Sequence, residues 1–395
     1  MAGEDKVIRS NDLKKVKFGN TDMMVTEVCA GTMTWGSFNA EEKEAHDQMD
    51  ALWNLGVNFY DTAELYPVAF NYGKTTEEWM GNWLEKKLAD KAFKREEIYI
   101  ATKCNPAGIG GTGEGKPQKH GYDKETLLAS CKASIDRLKC EYIDLYQLHW
   151  PCRDLPVFGP LSYQGIRDGR ESAVNKGEPE TFEQQVLSVK ALLDAGLIKH
   201  WGLSNENAYG ITQFCITCDR LGVPRPVSNQ NDFSLNNRSY EGDTLEACYR
   251  YGIVGLPYGP LSGGTLTGKY LFSEYAHEED RPLDLCRHNN QKKFQPRYNQ
   301  PAAREAAKKY VALAKEYGIT PTELALSWAN SRWYNASVII GTTTVRQVEE
   351  CVGAFKITLP ESLLKKIDQV HEEFRNPSGF YADGELCLEA PWIKS

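Results

Sequence analysis

Apolar positions along this chain recur at two periods, and the two take turns. Around Gly19-Asn20 the stretch Lys15–Glu27 holds two short runs alternating at period two, which predicts a small N-terminal hairpin. From Val25–Gly31 onward, strand-like runs are each followed by an apolar stripe at helical spacing. In Glu41–Leu55 the stripe is Ala45, Met49, Leu52 and Trp53, stopped by Gly56. The strand Val57–Thr62 precedes a helix over Thr75–Leu88, and Ile98–Lys103 precedes one over Lys124–Leu138. Ile143–His149 leads to Phe182–Ala195, Ile198–Ser204 to Ala208–Leu221, and Val227–Asn231 to Thr244–Tyr251. Ile253–Tyr258 is followed by Ala302–Tyr317 and by Pro321–Arg332, which has proline at a favoured first helical position. Val338–Gly341 leads to Val345–Ala354 and a terminal helix Pro360–Phe374.

Strands that alternate with helices imply βαβ units and a parallel sheet. Eight strand–helix pairs point to an α/β fold of the closed (β/α)8 type, a TIM barrel with a short N-terminal hairpin. No glycine-rich first turn follows the opening strand, as an open dinucleotide sheet would require. No linker-like stretch divides the chain, so residues 1–395 are expected to form a single domain with its core at about 16–374. Three segments exceed ordinary connections: Cys104–Asp123, Pro151–Thr181 and Leu271–Pro301. Each follows a strand C-terminus, the catalytic face of a barrel, and reads as a lid or substrate wall.

Composition narrows the partners. Hydrophobic residues make up 41% and charged residues 25%, as in an ordinary globular protein. The net charge of −8 disfavours nucleic acid or an anionic membrane surface. No apolar run approaches the ~20 residues that cross a bilayer. The acidic start MAGEDKVIRSND reads as neither secretory leader nor transit peptide, and a cytoplasmic location is expected. Eleven scattered cysteines suit a reducing compartment. Cys215 and Cys218 form a CxxC one turn apart inside a helix, where packing outweighs redox chemistry.

The chemistry gathers at the strand ends. Asp61 closes the second strand and Tyr66 follows in the loop before Pro67; Lys103 ends the third and His149 the fourth. Ser204-Asn205, Gln230, Tyr258 and Gly341-Thr342 close the fifth to eighth. Lys103 ends the apolar run IYIAT, where an ammonium group requires a partner. A tyrosine, with a reference pKa near 10, needs a nearby cation to exchange protons at neutral pH. Lys103 would supply the cation, Asp61 would hold it, and a neutral His149 would donate to a substrate oxygen. That set suits protonation of a carbonyl oxygen, and it lacks the matched nucleophile of acyl or glycosyl transfer.

Two glycine-rich matches are decoys. Gly108–Gly113 fits GxGxxG and Gly110–Lys116 nearly fits a phosphate loop, yet no helix begins after either. No HxH or HExxH occurs among the seven histidines, so no metal site is expected.

At these residues the chain resembles the aldo-keto reductase superfamily, in its Tas-like branch, from about Val16 to Phe374. The resemblance rests on GTMTWG (31–36), NFYDTAELYP (58–67), MGNWL (80–84), IATK (100–103), DLYQLHWP (144–151), GLSNEN (202–207), NQNDFSLNNRS (229–239), GPLSGGTLTGKY (259–270) and IIGTTTVRQVEE (339–350). It implies a barrel that binds NADP(H) at its C-terminal rim without a Rossmann fold. The catalytic set it implies is Asp61, Tyr66, Lys103 and His149, with Tyr66 as proton donor. Ser204, Asn205 and Gln230 would hold the nicotinamide carboxamide, Tyr258 would stack on its ring, and Thr32 and Met33 would also contact the cofactor. Gly259, Pro260, Leu261, Ser262 and Gly263 would follow the pyrophosphate; Gly341, Thr342, Thr343, Gln347 and Glu350 would enclose the adenosine phosphate. Trp35 and Trp150 would wall the substrate site.

Gln347 and Cys351 stand where the family often has Arg and Asn, so the 2′-phosphate contact passes to Lys269, Arg297 or Arg346. The function implied is NADPH-dependent reduction of a small-molecule aldehyde or ketone. The alternative is a non-catalytic NADP(H)-binding regulatory subunit, as in the potassium-channel β-subunits.

Overall fold

The computed structural model describes residues 6–67, 75–105, 121–153, 181–277, 280, 282–292 and 294–378. A short arm, β1 (Ile8–Arg9), precedes a hairpin of β2 (Lys15–Lys17) and β3 (Met24–Thr26). The alternation then starts with β4 (Val28–Gly31), α1 (Glu42–Asn54), β5 (Phe59–Asp61), α2 (Thr75–Ala89), β6 (Tyr99–Cys104) and α3 (Lys124–Leu138). It continues through β7 (Ile143–Leu148), α4 (Phe182–Asp194), β8 (Ile198–Ser204), α5 (Ala208–Leu221), β9 (Ser228–Gln230), α6 (Asp243–Tyr251) and β10 (Val254–Gly255). The last part holds α7 (Arg287–Asn290), α8 (Pro301–Glu316), α9 (Pro321–Asn330), β11 (Val338–Gly341), α10 (Val345–Ala354), β12 (Ile357–Thr358) and α11 (Glu361–Glu373).

The eight strands β4–β11 form one parallel sheet in the order β10-β9-β8-β7-β6-β5-β4-β11. Consecutive strands are neighbours and β11 returns beside β4, with Ile339 opposite Cys29. Backbone bonds also join the two outer strands: Ile339 N–H donates to the Pro257 carbonyl at 2.9 Å and Ala336 N–H to Gly255 at 2.9 Å. Helices cover the outer face. The sheet is therefore strongly curled, with two distinct sides.

Helix ends follow local chemistry. Asp123 caps α3 by accepting from Thr126 N–H, and Thr181 with Gln184 closes a capping box on α4. Gly222, at φ +65°, ends α5. Where α2 crosses α3 the backbones nearly touch: a Cβ on Gly81 would lie 2.0 Å from the Arg137 carbonyl oxygen.

Two expectations change. Val25 lies in the hairpin opposite Val16 and not in the first parallel strand, because the polar Glu27 separates the two. The strand at Ile253–Tyr258 shrinks to Val254–Gly255, since Pro257 has no N–H to continue the ladder. The described residues of Leu271–Pro301, expected as a lid or substrate wall, form a chain of short helical turns: Ser273–Tyr275, Leu283–Leu285, α7 and Pro296–Asn299. The other two long segments, and the glycine-rich matches at 108–116, lie mostly or wholly outside the described residues.

The concave side is filled in layers. Phe18, Met23 and Val25 from the hairpin pack with Cys29, Phe59, Ala101, Leu145, Leu256 and Ile339, all buried. The rings of Phe18 and Phe59 meet edge to face at 5.3 Å. The hairpin thus plugs the N-terminal end of the sheet, and what lies above this apolar layer faces the other mouth.

Candidate active site

Side chains two apart on a strand share a face. Two residues beyond Phe59, Ala101 and Leu145, that rule places Asp61, Lys103 and Gln147 on the same face; the strand register sets Lys103 opposite Gln147 and Asp61 opposite Ala101, and the long Lys103 side chain reaches across to Asp61. Gln230 joins them from β9. This polar layer is buried: Lys103 has no exposed surface and Asp61 only 2%.

A buried ion pair is tolerated only when its remaining donors and acceptors are filled. Here they are. Lys103 Nζ lies 2.5 Å from Asp61 Oδ2, donates to the Thr62 carbonyl at 2.7 Å and reaches the Tyr66 hydroxyl at 3.5 Å. Asp61 Oδ1 accepts from Gln147 Nε2 at 3.0 Å and Gln230 Nε2 at 2.9 Å. Burial opposes the Lys103 ammonium, but the Asp61 carboxylate and Tyr66 outweigh it, and Lys103 titrates above its ordinary value. Tyr66 departs from the sequence expectation of a lowered pKa. Burial raises it, and Lys103 offsets the rise only in part.

His149 stands beside Tyr66, ring centroids 5.9 Å apart and roughly perpendicular. Burial and then Lys103 push its pKa well below the usual histidine value, so the imidazole is neutral. Its Nδ1 lies 2.8 Å from Asn105 Oδ1. Trp150 flanks it at 4.7 Å, half-buried. Trp35, by contrast, is wholly enclosed in the main core.

The polar groups at the next strand ends meet the same mouth. Asn205, at φ +56°, donates through Nδ2 to the His149 carbonyl at 2.9 Å and accepts from the Tyr258 hydroxyl at 2.7 Å. Ser204 Oγ donates to the Gln230 carbonyl at 3.0 Å, and Thr32 Oγ1 to that of Asp61 at 3.0 Å. Met33 is half-buried beside Thr32.

A second zone lies along Gly259–Lys269. Gly259, Ser262, Gly263 and Gly264 all have positive φ, from +49° to +100°. The stretch folds back on itself: Ser262 N–H donates to the Gly259 carbonyl at 2.8 Å and Gly264 N–H to that of Leu261 at 2.9 Å. The short turns of the third long segment pack over it; a Cβ on Gly263 would lie 3.0 Å from His288. Two cations there, Lys269 and Arg287, pair with no carboxylate among the described residues. Lys269 Nζ is 3.6 Å from Cys286 Sγ, and Arg287 donates to Gln295 Oε1 at 2.8 Å. Burial lowers the Arg287 pKa. Arg297 is different: it donates through Nε to Asp232 at 2.9 Å, and Tyr298 donates to the same carboxylate.

Beyond β11, the start of α10 is reached by Gly341, Thr342 and Thr343. A Cβ on Gly341 would meet nothing within 4 Å. Gln347 Oε1 accepts from Thr343 N–H at 2.9 Å, while Arg346 is ion-paired with Asp280 and Glu350. Of the three cations expected to meet a 2′-phosphate, Arg297 and Arg346 already face carboxylates, and Lys269 does not. The donor set fits a dinucleotide: amide side chains beside Asp61 and Lys103, glycines that let a ligand approach along Gly259–Gly264, and two cations there that pair with no carboxylate among the described residues. No group of His, Cys, Asp or Glu that could hold a metal occurs among the described residues.

The structure thus brings Asp61, Tyr66, Lys103 and His149 together, with Ser204, Asn205, Gln230 and Tyr258 alongside. Gly341–Glu350 forms a separate edge, and Trp35 points into the core. Sequence reasoning missed Gln147, Asn105, Glu64, Asp232 and Arg287. For Gln147 the signal was its period-two spacing from His149 and Leu145; Asn105 followed Lys103 by two residues in the same way.

The fold and this constellation define a parallel α/β protein with a buried acid/base cluster at its C-terminal mouth. A family model described as Aldo/keto reductase family matches residues 27–372, and the chain belongs to that family, which fits an oxidoreductase. Protein tas of Escherichia coli (strain K12) is 31% identical over 361 residues, covering 91% of this chain and 98% of that protein. The uncharacterized oxidoreductase YrpG of Bacillus subtilis (strain 168) is 27% identical over 361 residues, 91% and 96% of the two chains. A probable voltage-gated potassium channel subunit beta of Arabidopsis thaliana is 26% identical over 358 residues, 89% and 94%.

Proposed function

We propose that the protein is an NADP(H)-dependent reductase that converts aldehydes or ketones to alcohols, reversibly. The observation that carries this reading is the buried Asp61–Lys103 pair set against the Tyr66 hydroxyl, with a neutral His149 beside it. When bound, the dinucleotide supplies hydride to the carbonyl carbon. Tyr66 gives its hydroxyl proton to the carbonyl oxygen as charge develops there. Lys103, held charged by Asp61, stabilises the phenolate that Tyr66 leaves behind. His149 orients the carbonyl through Nε2, and Trp150 forms an apolar wall.

Ser204, Asn205 and Gln230 hold the carboxamide; the Gln230 amide nitrogen is engaged by Asp61 and Gln147, so its oxygen is the group offered. Tyr258, Thr32 and Met33 would hold the nicotinamide ring. Gly259–Gly263, Lys269 and Arg287 take the pyrophosphate, and Gly341–Thr343, Gln347 and Glu350 the adenosine end. The bonds from Ile339 and Ala336 to the opposite outer strand support closure into a (β/α)8 barrel, folding as one domain. No helix among the described residues is long and apolar enough to cross a membrane. A cytoplasmic location belongs to the same proposal.

A second reading, a cofactor-holding regulatory subunit, is favoured by the similarity to the channel subunit of Arabidopsis thaliana. NADPH oxidation followed at 340 nm across a broad panel of aldehydes and ketones separates the two. Turnover with part of the panel is expected; NADPH binding without turnover on any member would overturn the reductase reading.

A further inference from the structure

Behind the cluster lies a set of buried and half-buried groups that the chemistry above does not use. Glu64 sits in the loop between Asp61 and Tyr66. Its Oε1 accepts the Asn105 backbone N–H at 2.8 Å, and Oε2 accepts from Ser130 Oγ. Ser130 in turn receives the Tyr146 hydroxyl at 3.4 Å. Burial raises the Glu64 pKa against these bonds. The backbone of Asn105 is thereby fixed from one side, and its side-chain amide is turned to His149 Nδ1 on the other.

We propose that Asn105 is a positioning residue that sets the tautomer of His149 through its side-chain amide, and so decides whether His149 offers the substrate a donor or an acceptor. A neutral imidazole carries one proton, on Nδ1 or on Nε2. Nε2 bonds to no described residue, so it is the nitrogen left for the substrate. With Asn105 Oδ1 toward the ring, at the 2.8 Å seen here, Nδ1–H donates and Nε2 is an acceptor. An acceptor there suits an alcohol hydroxyl. Turning the amide over by 180° presents Nδ2–H to Nδ1, the proton resides on Nε2, and His149 donates to a carbonyl oxygen. The oxygen and nitrogen of the amide occupy equivalent positions, so the turn needs no backbone movement. Protons leave one nitrogen and reach the other through solvent, with no change in net charge. The two amide orientations therefore match the two directions of a reversible carbonyl–alcohol reaction. Asp or Glu in this place would only accept, and Leu would do neither.

This rests on the reductase reading, but its first test does not. Nitrogen-15 NMR of histidine-labelled full-length protein, with the His149 signals assigned by their loss in His149→Gln, reports the tautomer directly. In the wild type, His149 is expected to remain neutral through the ordinary histidine range. In Asn105→Asp the proton is expected to be fixed on Nδ1, and the adjacent carboxylate should bring His149 titration back into that range. Asn105→Leu is expected to give the mixture of tautomers of a free imidazole. His149 signals and titration identical to wild type in both variants would overturn the proposal.

The kinetic arm reads the pH dependence of carbonyl reduction. In Asn105→Asp the imidazolium still donates, whereas its neutral form presents only an acceptor. Reduction should fall at least tenfold as pH rises through the new His149 pKa, a limb absent from wild type. A profile without that limb in a turning-over variant also overturns the proposal. The tautomer pattern without turnover in any form would count against the reductase reading alone.

Discussion

At the scale of single residues, the site turns on an ion pair that is stable only while whole. Asp61 and Lys103 are buried with every remaining donor and acceptor engaged, so removing one partner leaves a charge with no counterpart. Lys103→Met should lower the unfolding free energy by about 3 kcal/mol or more, measured by urea denaturation. Tyr66→Phe should shift it by less than about 1 kcal/mol, because among the described residues the hydroxyl loses only the weak 3.5 Å bond to Lys103. An equal loss in both would mean that the pair is not the anchor described. Asp61, Tyr66, Lys103 and His149 were all legible in the sequence, because strand ends can be located and charged residues that close apolar runs stand out. Asn105 and Gln147 were not. An amide looks the same whether it faces solvent or a histidine ring, and only the three-dimensional register brings Gln147 to Asp61.

Elements were legible in proportion to their local signals. Lys124–Leu138 matches its predicted span because Asp123 caps it and Lys139 leaves in the left-handed conformation. The β1–β12 pair escaped notice, since two residues joined across almost the whole chain show no period. Helix α2 offers a direct test of packing. Gly81→Ala would push a methyl group to 2.0 Å from the Arg137 carbonyl, and the α2–α3 crossing cannot yield without opening. A loss of about 1–3 kcal/mol is expected. In α7, burial holds the His288 pKa down to about 3 from an ordinary 6.5, and His149 is shifted in the same direction. The unfolded chain binds these protons first. Their contribution to stability is therefore complete above pH 6.5 and is lost as pH falls toward the folded pKa, at about 1.4 kcal/mol per pH unit for each group. His288→Asn should flatten roughly half of that slope between pH 6.5 and 4.5; an unchanged slope would contradict the burial argument.

At the scale of the molecule, the alternating periods foretold a parallel α/β fold and placed the polar groups at one end of it. How tightly the sheet curls was beyond them, because closure depends on twist summed over all eight strands. Closure has its own signature in exchange. If β10 and β11 join, the amides of Ala336 and Ile339 should exchange as slowly as those of central β6 and β7, whereas free edges would exchange orders of magnitude faster.

The central claim is that this mouth moves hydride and proton to a carbonyl group, with Tyr66 as the acid. Its most direct test is transfer of deuterium from the C4 position of labelled NADPH to a carbonyl substrate chosen from the panel, followed by mass spectrometry of the product. The wild type is expected to give an alcohol carrying deuterium on the former carbonyl carbon. Tyr66→Phe should still quench NADPH fluorescence on binding, yet transfer the label at least a hundredfold more slowly. Transfer by Tyr66→Phe at the wild-type rate, or no labelled alcohol from the wild type with any carbonyl tested, would contradict the account.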